Sequence, residues 1–146
     1  MYGGRQYATE DQGWVGWFCS LANTQKKNNT SKPISISGTG KQVRDLLHSD
    51  DMCRLYFAAL ENIEKVSGQA YNVGGGVENS TSLLELFKIL EKKLGIDISI
   101  QRNDFRQSDQ KIFVADLYKI QSHIGWSPKV NCDEGIDEFL EWVDII

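Results

Sequence analysis

The stretch "GKQVRDLLHSDDMCRLYFAAL", residues 40–60, changes from one hydrophobic pattern to another within a few positions. Val43, Leu46 and Leu47 are typical of a short buried strand, predicted over residues 43–47. From Asp51 onward apolar residues recur every three or four positions, which predicts a helix over residues 51–66 that stops before Gly68. A strand that leads directly into a helix indicates an α/β fold.

The rest of the chain continues this alternation of elements. The strongest helix signal covers residues 83–94, because Ser82 and Glu85 form a capping box, Gly95 supplies a stop, and one face is apolar. Further helices are predicted over residues 13–22, 116–124 and 133–143, and further strands over residues 34–37, 70–73, 98–101 and 112–114. Residues 23–33 are predicted to form a polar loop. We therefore expect one α/β domain of mixed helices and short strands over residues 1–146.

Composition narrows the class of protein. The chain has 146 residues, a hydrophobic fraction of 40% and a net charge of −4, with no cluster of Lys and Arg that could follow a nucleic-acid backbone. No apolar run is long enough to span a bilayer. Cys19, Cys53 and Cys132 form no CxxC pair and are odd in number, so we expect buried thiols rather than disulfides or metal ligands. These features predict a cytosolic globular protein.

Motifs for catalysis or for dinucleotide binding are scarce. The glycine clusters "GTGKQV" and "GGGVEN" place Val43 and Asn79 where a dinucleotide fingerprint requires its last glycine. Residues 71–82 are instead predicted to form a strand, a tight turn and a helix entry. His48 and His123 lie at predicted helix ends, where capping explains them without catalysis. No catalytic residue and no metal site is predicted.

Two arginines remain unexplained by these structural roles. Arg44 and Arg106 each lie beside an aspartate and an apolar strand, and a guanidinium held in that way matches phosphate oxygens bidentately. From the residues alone, ordinary ion pairs remain the alternative: Arg44 with Asp45 or Asp51, and Arg106 with Asp109.

Four blocks that contain these arginines follow one another in a recognisable order. They are "GTGKQVRDLLHSDDM", "GQAYNVGGGVENSTSLLELF", "RQSDQKIFVADLYKIQSHIGWSPKV" and "GIDEFLEW". Together they resemble the C-terminal half of NAD-dependent nucleotide-sugar epimerases and dehydratases, the extended short-chain dehydrogenase/reductase family, over essentially the whole chain. The opening "MYGGRQYATEDQGWVGWFCSLA" resembles the CDP-tyvelose (CDP-paratose) 2-epimerase branch. The resemblance implies the substrate-binding portion of a Rossmann-type enzyme whose N-terminal Rossmann half is absent here.

The resemblance also implies roles for individual residues. Arg44 and Arg106 correspond to the arginines that bind the pyrophosphate of the nucleotide sugar, with Asp109 orienting Arg106. Other positions that match the family pattern are Ser35 and Ser37 at the nucleobase, Gly13 and Trp14 at the helix start near the phosphates, and Phe113 against the substrate.

The family's glycine fingerprint and its Tyr-x-x-x-Lys pair have no counterpart in this chain. NAD would therefore be bound mainly by the absent half, and the chain alone is expected to be inactive and to self-associate through the surface that this half would cover. By resemblance, the intact enzyme oxidises a sugar carbon of a CDP-linked sugar transiently. A 4-epimerase, 4,6-dehydratase or reductase acting on a UDP-, GDP- or dTDP-sugar and a non-catalytic nucleotide-sugar binding module remain the alternatives.

Overall fold

The computed structural model describes residues 1–107 and 109–145 and contains six α-helices and five strands within that part of the chain. In chain order the elements are α1 (Trp14–Asn28), β1 (Ile34–Ser37), β2 (Val43–Asp45), α2 (Ser49–Glu61), α3 (Ile63–Val66), a 3-10 turn (Val77–Asn79), β3 (Ser80–Ser82), α4 (Leu83–Leu94), β4 (Ile100–Asn103), β5 (Ile112–Phe113), α5 (Tyr118–Ile124) and α6 (Cys132–Ile145). The predicted α/β class is confirmed. No helix in the described ranges is both long and apolar enough to cross a membrane.

The strands form two small sheets. β1 pairs with β4 in parallel, with Ile34 opposite Ile100 and Ser37 opposite Asn103. β2 is the central strand of the second sheet, antiparallel to β3 and parallel to β5. The register of β2 and β5 places Val43 opposite Ile112, so the segments that lead into these two strands run side by side.

Two apolar clusters hold the elements together. The larger cluster joins α1, β1, α4 and α6 around fully buried side chains such as Leu86, Leu90 and Phe139. Burial of each such side chain stabilises the fold by about 1.5–3 kcal/mol. The smaller cluster joins α2, α5 and the chain between them around Ile120 and Trp126. The first cluster supports one side of the cavity described below, because α1 and β1 both border it.

Several predicted elements differ from the observed ones. α1 continues to Asn28 through residues predicted to be loop, because Gln25 is buried there and its Nε2 donates to the Lys32 carbonyl. The predicted helix over residues 51–66 begins at Ser49 and is broken at Asn62. The strands predicted over residues 43–47, 98–101 and 112–114 are observed at residues 43–45, 100–103 and 112–113.

The interpretation of residues 70–82 was wrong. Residues 70–73 do not form a strand, and residues 80–82 form β3 rather than a helix entry, although Ser82 does cap α4. β3 exists because β2 lies beside it, with Arg44 opposite Thr81. A three-residue polar strand of this kind depends on its partner and leaves no hydrophobic pattern in the sequence.

Candidate functional site: an arginine-lined cavity

An open cavity of about 430 Å3 lies between the start of α1, strand β1, strand β2 and the chain that follows β4. Its walls combine aromatic, hydroxyl, cationic and carboxylate side chains. The lining residues are Glu10, Asp11, Gly13, Trp14, Trp17, Phe18, Ser35, Ile36, Ser37, Gln42, Arg44, Leu83, Asn103, Arg106, Gln107 and Asp109.

The structure brings most of the predicted site residues to this one cavity. Its lining includes every predicted position except one: Gly13, Trp14, Ser35, Ser37, Arg44, Arg106 and Asp109. The exception is Phe113, which lies in β5 next to Arg44 in register and outside the cavity lining, with 45% of its surface exposed.

Arg44 is held in place from two sides. Its Nη2 lies 2.9 Å from Asp109 Oδ1, and its Nη1 donates to the Val43 carbonyl at 2.7 Å. The Arg44 and Asp109 side chains are about three-quarters buried. A guanidinium fixed in this way keeps its remaining donors aimed in one direction, which suits the recognition of an anion.

The ion pairs expected around the arginines are not those that the described residues form. Asp109 binds Arg44 rather than Arg106, whose Nε instead donates to Ser37 Oγ at 3.3 Å. Asp45 accepts the backbone N–H groups of residues 76 and 115, and Asp51 pairs with Arg54. Asp109 therefore orients the other arginine of the predicted pair.

Gln42 is a cavity residue that sequence reasoning missed. Its Nε2 donates to the Ser37 carbonyl and to Asp109 Oδ2, each at 2.9 Å, so it joins the end of β1 to the carboxylate that holds Arg44. In the sequence, Gln42 could be linked to the site only through its position two residues before Arg44, because alternate residues of an extended chain face the same side. A single glutamine between Lys41 and Val43 carries no local pattern that marks it as functional.

Aromatic rings and cations meet in the same cavity. Trp14 and Trp17 are half-buried on α1, on one side of the space, and the two arginines line it as well. Flat apolar rings accept a nucleobase by stacking, and guanidinium groups bind phosphate oxygens. Gly13 begins α1 with a positive φ of 80°, and the first N–H groups of a helix with its positive dipole end favour an anion. The arrangement is chemically suited to a nucleoside diphosphate.

The glycine cluster at residues 74–76 does not fit the pyrophosphate of NAD. The Gly76 N–H donates to Asp45 Oδ2 at 3.1 Å, so a carboxylate already occupies that amide. A side chain at Gly74 or Gly75 would collide with the Asp45 carboxylate or the Leu46 carbonyl. These glycines allow the chain to pack closely against the end of β2. The described residues therefore offer no dinucleotide site there.

One group of potential metal ligands lies away from the cavity. Single ligand atoms of His48, Asp50 and Glu138 lie within 4.8 Å of one another. His48 caps α2, as predicted, because its Nδ1 accepts the Asp50 N–H at 3.4 Å. Nε2 must then carry the ring hydrogen, and it lies 3.6 Å from Glu138 Oε2. A protonated Nε2 has no lone pair for a metal, so capping explains this group.

The thiols differ in their surroundings. Cys19 is fully buried and Cys132 is half-buried, whereas Cys53 is exposed, contrary to the expectation that all three are buried. Burial raises the pKa of Cys19 to about 12 and that of Cys132 to about 11.

The chain is similar to known proteins in sequence and in fold. A family model described as GDP-mannose 4,6 dehydratase matches residues 19–139. The chain is 54% identical to CDP-paratose 2-epimerase from Salmonella typhi, over 100% of this chain and 43% of that protein. It therefore spans less than half the length of this relative.

Solved structures show the same fold. A UDP-glucose 4-epimerase from Thermotoga maritima, determined with UDP-glucose, superposes with a TM-score of 0.82 at 29% identity, over 99% of this chain and 43% of that one. A UDP-glucuronic acid 4-epimerase from Bacillus cereus, in complex with UDP-glucuronic acid and NAD, gives a TM-score of 0.81 at 26% identity, over 99% and 42%. Because the family model matches most of the chain, this protein belongs to the family described as GDP-mannose 4,6 dehydratase, among the nucleotide-sugar epimerases and dehydratases of the extended short-chain dehydrogenase/reductase type.

Proposed function

We propose that this chain is the nucleotide-sugar-binding portion of an NAD-dependent 2-epimerase that acts on a CDP-linked sugar, such as a CDP-tyvelose (CDP-paratose) 2-epimerase. The observation that carries the proposal is the meeting of Arg44 and Arg106 in one cavity with aromatic and hydroxyl side chains. The 54% identity to a CDP-paratose 2-epimerase supports the choice of CDP and of a 2-epimerase.

In this proposal the residues that line the cavity contact different parts of the nucleotide sugar. Arg44 and Arg106 bind the diphosphate, and Asp109 holds Arg44 in its binding direction. Ser35 and Ser37 contact the nucleobase from β1. The start of α1, at residues 13–14, approaches the phosphates from the other side. Anchoring the diphosphate keeps the sugar near the reacting groups and leaves the sugar itself free to reorient.

The cofactor belongs to the part of the enzyme that this chain does not contain. The glycine cluster at residues 74–76 does not fit a dinucleotide, whereas the related Bacillus cereus 4-epimerase is in complex with NAD. We infer that NAD is bound mainly by an N-terminal Rossmann half and that the 146-residue chain alone does not turn over a nucleotide sugar. Incubation of the chain with NAD+ and a CDP-sugar should yield no epimer, and measurable epimerisation would contradict this inference.

An exposed apolar surface supports the existence of such a covering half. Tyr56, Phe57, Leu60 and Ile63 lie on α2 and α3, and each is more than half exposed. Tyr56 and Leu60 are four residues apart on α2 and so share one face, and Ile63 begins α3 just beyond the break at Asn62. Residues 70–73 follow this segment without regular secondary structure and without a strand partner among the described residues. We propose that the N-terminal half covers this α2 surface, and that a second copy covers it in the isolated chain.

A second substrate class has specific support. The two solved relatives described above contain UDP-glucose and UDP-glucuronic acid, and both are 4-epimerases. Titration of the chain with CDP, UDP, GDP and dTDP distinguishes the candidates. Tightest binding of UDP would favour the 4-epimerase alternative over the CDP-sugar 2-epimerase.

The main test removes one guanidinium. Arg44→Ala should weaken CDP binding by roughly 1.5–3 kcal/mol, about tenfold to a hundredfold in Kd, because a charge-assisted hydrogen bond to phosphate is lost. NMR titration suits the weak affinities expected of a cavity that lacks one wall. Arg102→Ala is the matched control, because it removes the same charge from an exposed position in β4 outside the cavity. Equal CDP affinities of Arg44→Ala and the unmodified chain would remove Arg44 from the site.

A further inference from the structure

The two arginines of the cavity are held in different ways. Arg44 has a largely buried ion pair and a backbone carbonyl as partners. The exposed guanidinium of Arg106 has only the bond from its Nε to Ser37 Oγ, at 3.3 Å, among residues 1–107 and 109–145. One long hydrogen bond does not fix an exposed arginine, because this side chain has many rotamers. The position of Arg106 therefore depends on the segment that carries it.

The segment that carries Arg106, residues 104–107, is exposed along its whole length. The carbonyl of Asn103, just before it, accepts the Gly38 N–H at 3.0 Å, which fixes where the segment begins. Its only apolar side chain is Phe105, which is 57% exposed and belongs to neither apolar cluster. Packing of the Phe105 ring is therefore the apolar contact that is available to hold this segment.

Phe105 packs on Gly38, in the space that a side chain would otherwise fill. The Cβ of any other residue at position 38 would lie 2.5 Å from the Phe105 ring. Gly38 also has a φ of +74°, a backbone conformation that residues with a side chain rarely adopt. Because Gly38 directly follows Ser37, a ring packed on Gly38 places the next residue, Arg106, beside the Ser37 hydroxyl.

The same glycine lies beside the residues that hold the other arginine. A Cβ at position 38 would lie 3.0 Å from Gln42 Nε2, which donates to Asp109 Oδ2 at 2.9 Å. Asp109 in turn binds Arg44 through Oδ1. Gly38 therefore borders the contacts that lead to each of the two guanidinium groups.

We infer that Phe105 is a positioning residue, whose ring packs on Gly38 and holds Arg106 in the direction in which the guanidinium binds the diphosphate. This inference rests on the proposed function and deepens it. Phe105 does not line the cavity, so it acts through Arg106 and not by contact with the ligand. A guanidinium that is already in place loses less side-chain freedom on binding, which increases the affinity.

The test measures CDP binding by NMR titration of the 146-residue chain and its variants. Arg106→Ala, which removes the guanidinium, should weaken binding about tenfold or more. Phe105→Ala, which removes the ring and leaves the arginine, should weaken binding about threefold or more, because Arg106 is no longer held. Phe105→Tyr keeps the ring and should bind CDP within about twofold of the unmodified chain. A loss in Phe105→Tyr as large as that in Phe105→Ala would contradict the inference.

A double-mutant cycle shows whether Phe105 acts through Arg106. In the Arg106→Ala background no guanidinium is left to position, so the further change Phe105→Ala should alter the CDP affinity by less than about twofold. A residue that contacts the ligand itself, or that only stabilises the fold, would cost as much affinity in this background as in the unmodified chain. Tyr118→Ala, which removes an exposed aromatic ring on α5 outside the cavity, is the matched control and should leave the affinity unchanged.

The results separate this inference from the proposed function. If Phe105→Ala keeps the affinity of the unmodified chain, or costs equally in both backgrounds, the inference is overturned and the nucleotide site stands. An unchanged affinity in Arg106→Ala removes Arg106 from the site and overturns the inference with it. No binding of CDP by the unmodified chain overturns the proposed function and the inference together. Because Phe105 lies outside both apolar clusters, its replacement leaves the core intact, and the cycle is measured on folded chains.

Discussion

Removal of the Asp51 carboxylate should destabilise the smaller apolar cluster more than any other single acidic substitution in α2. Asp51 is fully buried in the first turn of this helix. Its oxygens accept the Lys129 N–H at 2.7 Å and the Val130 N–H at 3.1 Å, and Arg54 pairs with the same carboxylate. One side chain therefore ties α2 to the loop that leads into α6.

The expected magnitude follows from these partners. In Asp51→Ala two backbone N–H groups lose their acceptor, at about 1–3 kcal/mol each, or about 2–6 kcal/mol together. Loss of an acidic residue from the first turn adds about 0.3–1 kcal/mol. Arg54 loses its partner as well, and because its Nη2 is buried beside Asp51, this loss adds to the cost. The total is a large part of the roughly 5–15 kcal/mol that stabilises a typical domain.

Urea denaturation followed by circular dichroism measures this loss, with Asp50→Ala as the matched control. Asp50 is the neighbouring carboxylate, is exposed, and also lies in the first turn, so its removal costs only the dipole contribution. Asp51→Asn keeps one acceptor and should fall between the two variants. Amide hydrogen exchange at Lys129 and Val130 should accelerate in Asp51→Ala. An unfolding free energy of Asp51→Ala within about 0.5 kcal/mol of that of Asp50→Ala would refute the reasoning.

Two further predictions concern the surface. In the native chain near pH 8, a thiol reagent should label exposed Cys53 rapidly, half-buried Cys132 slowly and fully buried Cys19 only upon unfolding, because burial raises the pKa of the last two and leaves little thiolate. Three equally fast thiols by mass spectrometry would contradict this. Self-association of the isolated chain should weaken in Phe57→Lys, which places a charge in the α2 surface, and not in Tyr118→Lys, which alters an equally exposed aromatic residue on α5. Light scattering that shows a monomer at high concentration for the unmodified chain would contradict that proposal.

Sequence analysis predicts an element correctly when residues close to it in the chain determine where it begins and ends. α4 and β1 were predicted with their observed ends. For α4 the reason is visible, since the Ser82–Glu85 capping box forms as predicted and Gly95 ends the helix with a φ of 67°. The hydroxyl and the backbone N–H of Ser82 both donate to the Glu85 carboxylate and lower its pKa, because they stabilise its charged form.

Elements that depend on distant partners could not be predicted in the same way. Residues 70–73 have a strand-like composition, yet a strand exists only where another strand accepts its hydrogen bonds. No such neighbour is present among the described residues, so this stretch has no regular secondary structure. β3 is the opposite case, because its composition is polar and its pairing with β2 alone makes it a strand.

The contacts within the site also depend on how distant strands pair. The family resemblance assigned Asp109 to Arg106 through an Arg-x-x-Asp pattern, whereas in the structure Asp109 pairs with Arg44. The parallel register of β2 and β5 sets Val43 opposite Ile112, so the chain just before β5 runs beside the chain just before β2. Asp109 therefore meets Gln42 and Arg44 across the sheet. A shift of this register would separate the three side chains, which is why neither the Arg44 pair nor the role of Gln42 could be predicted before the strand pairing was known.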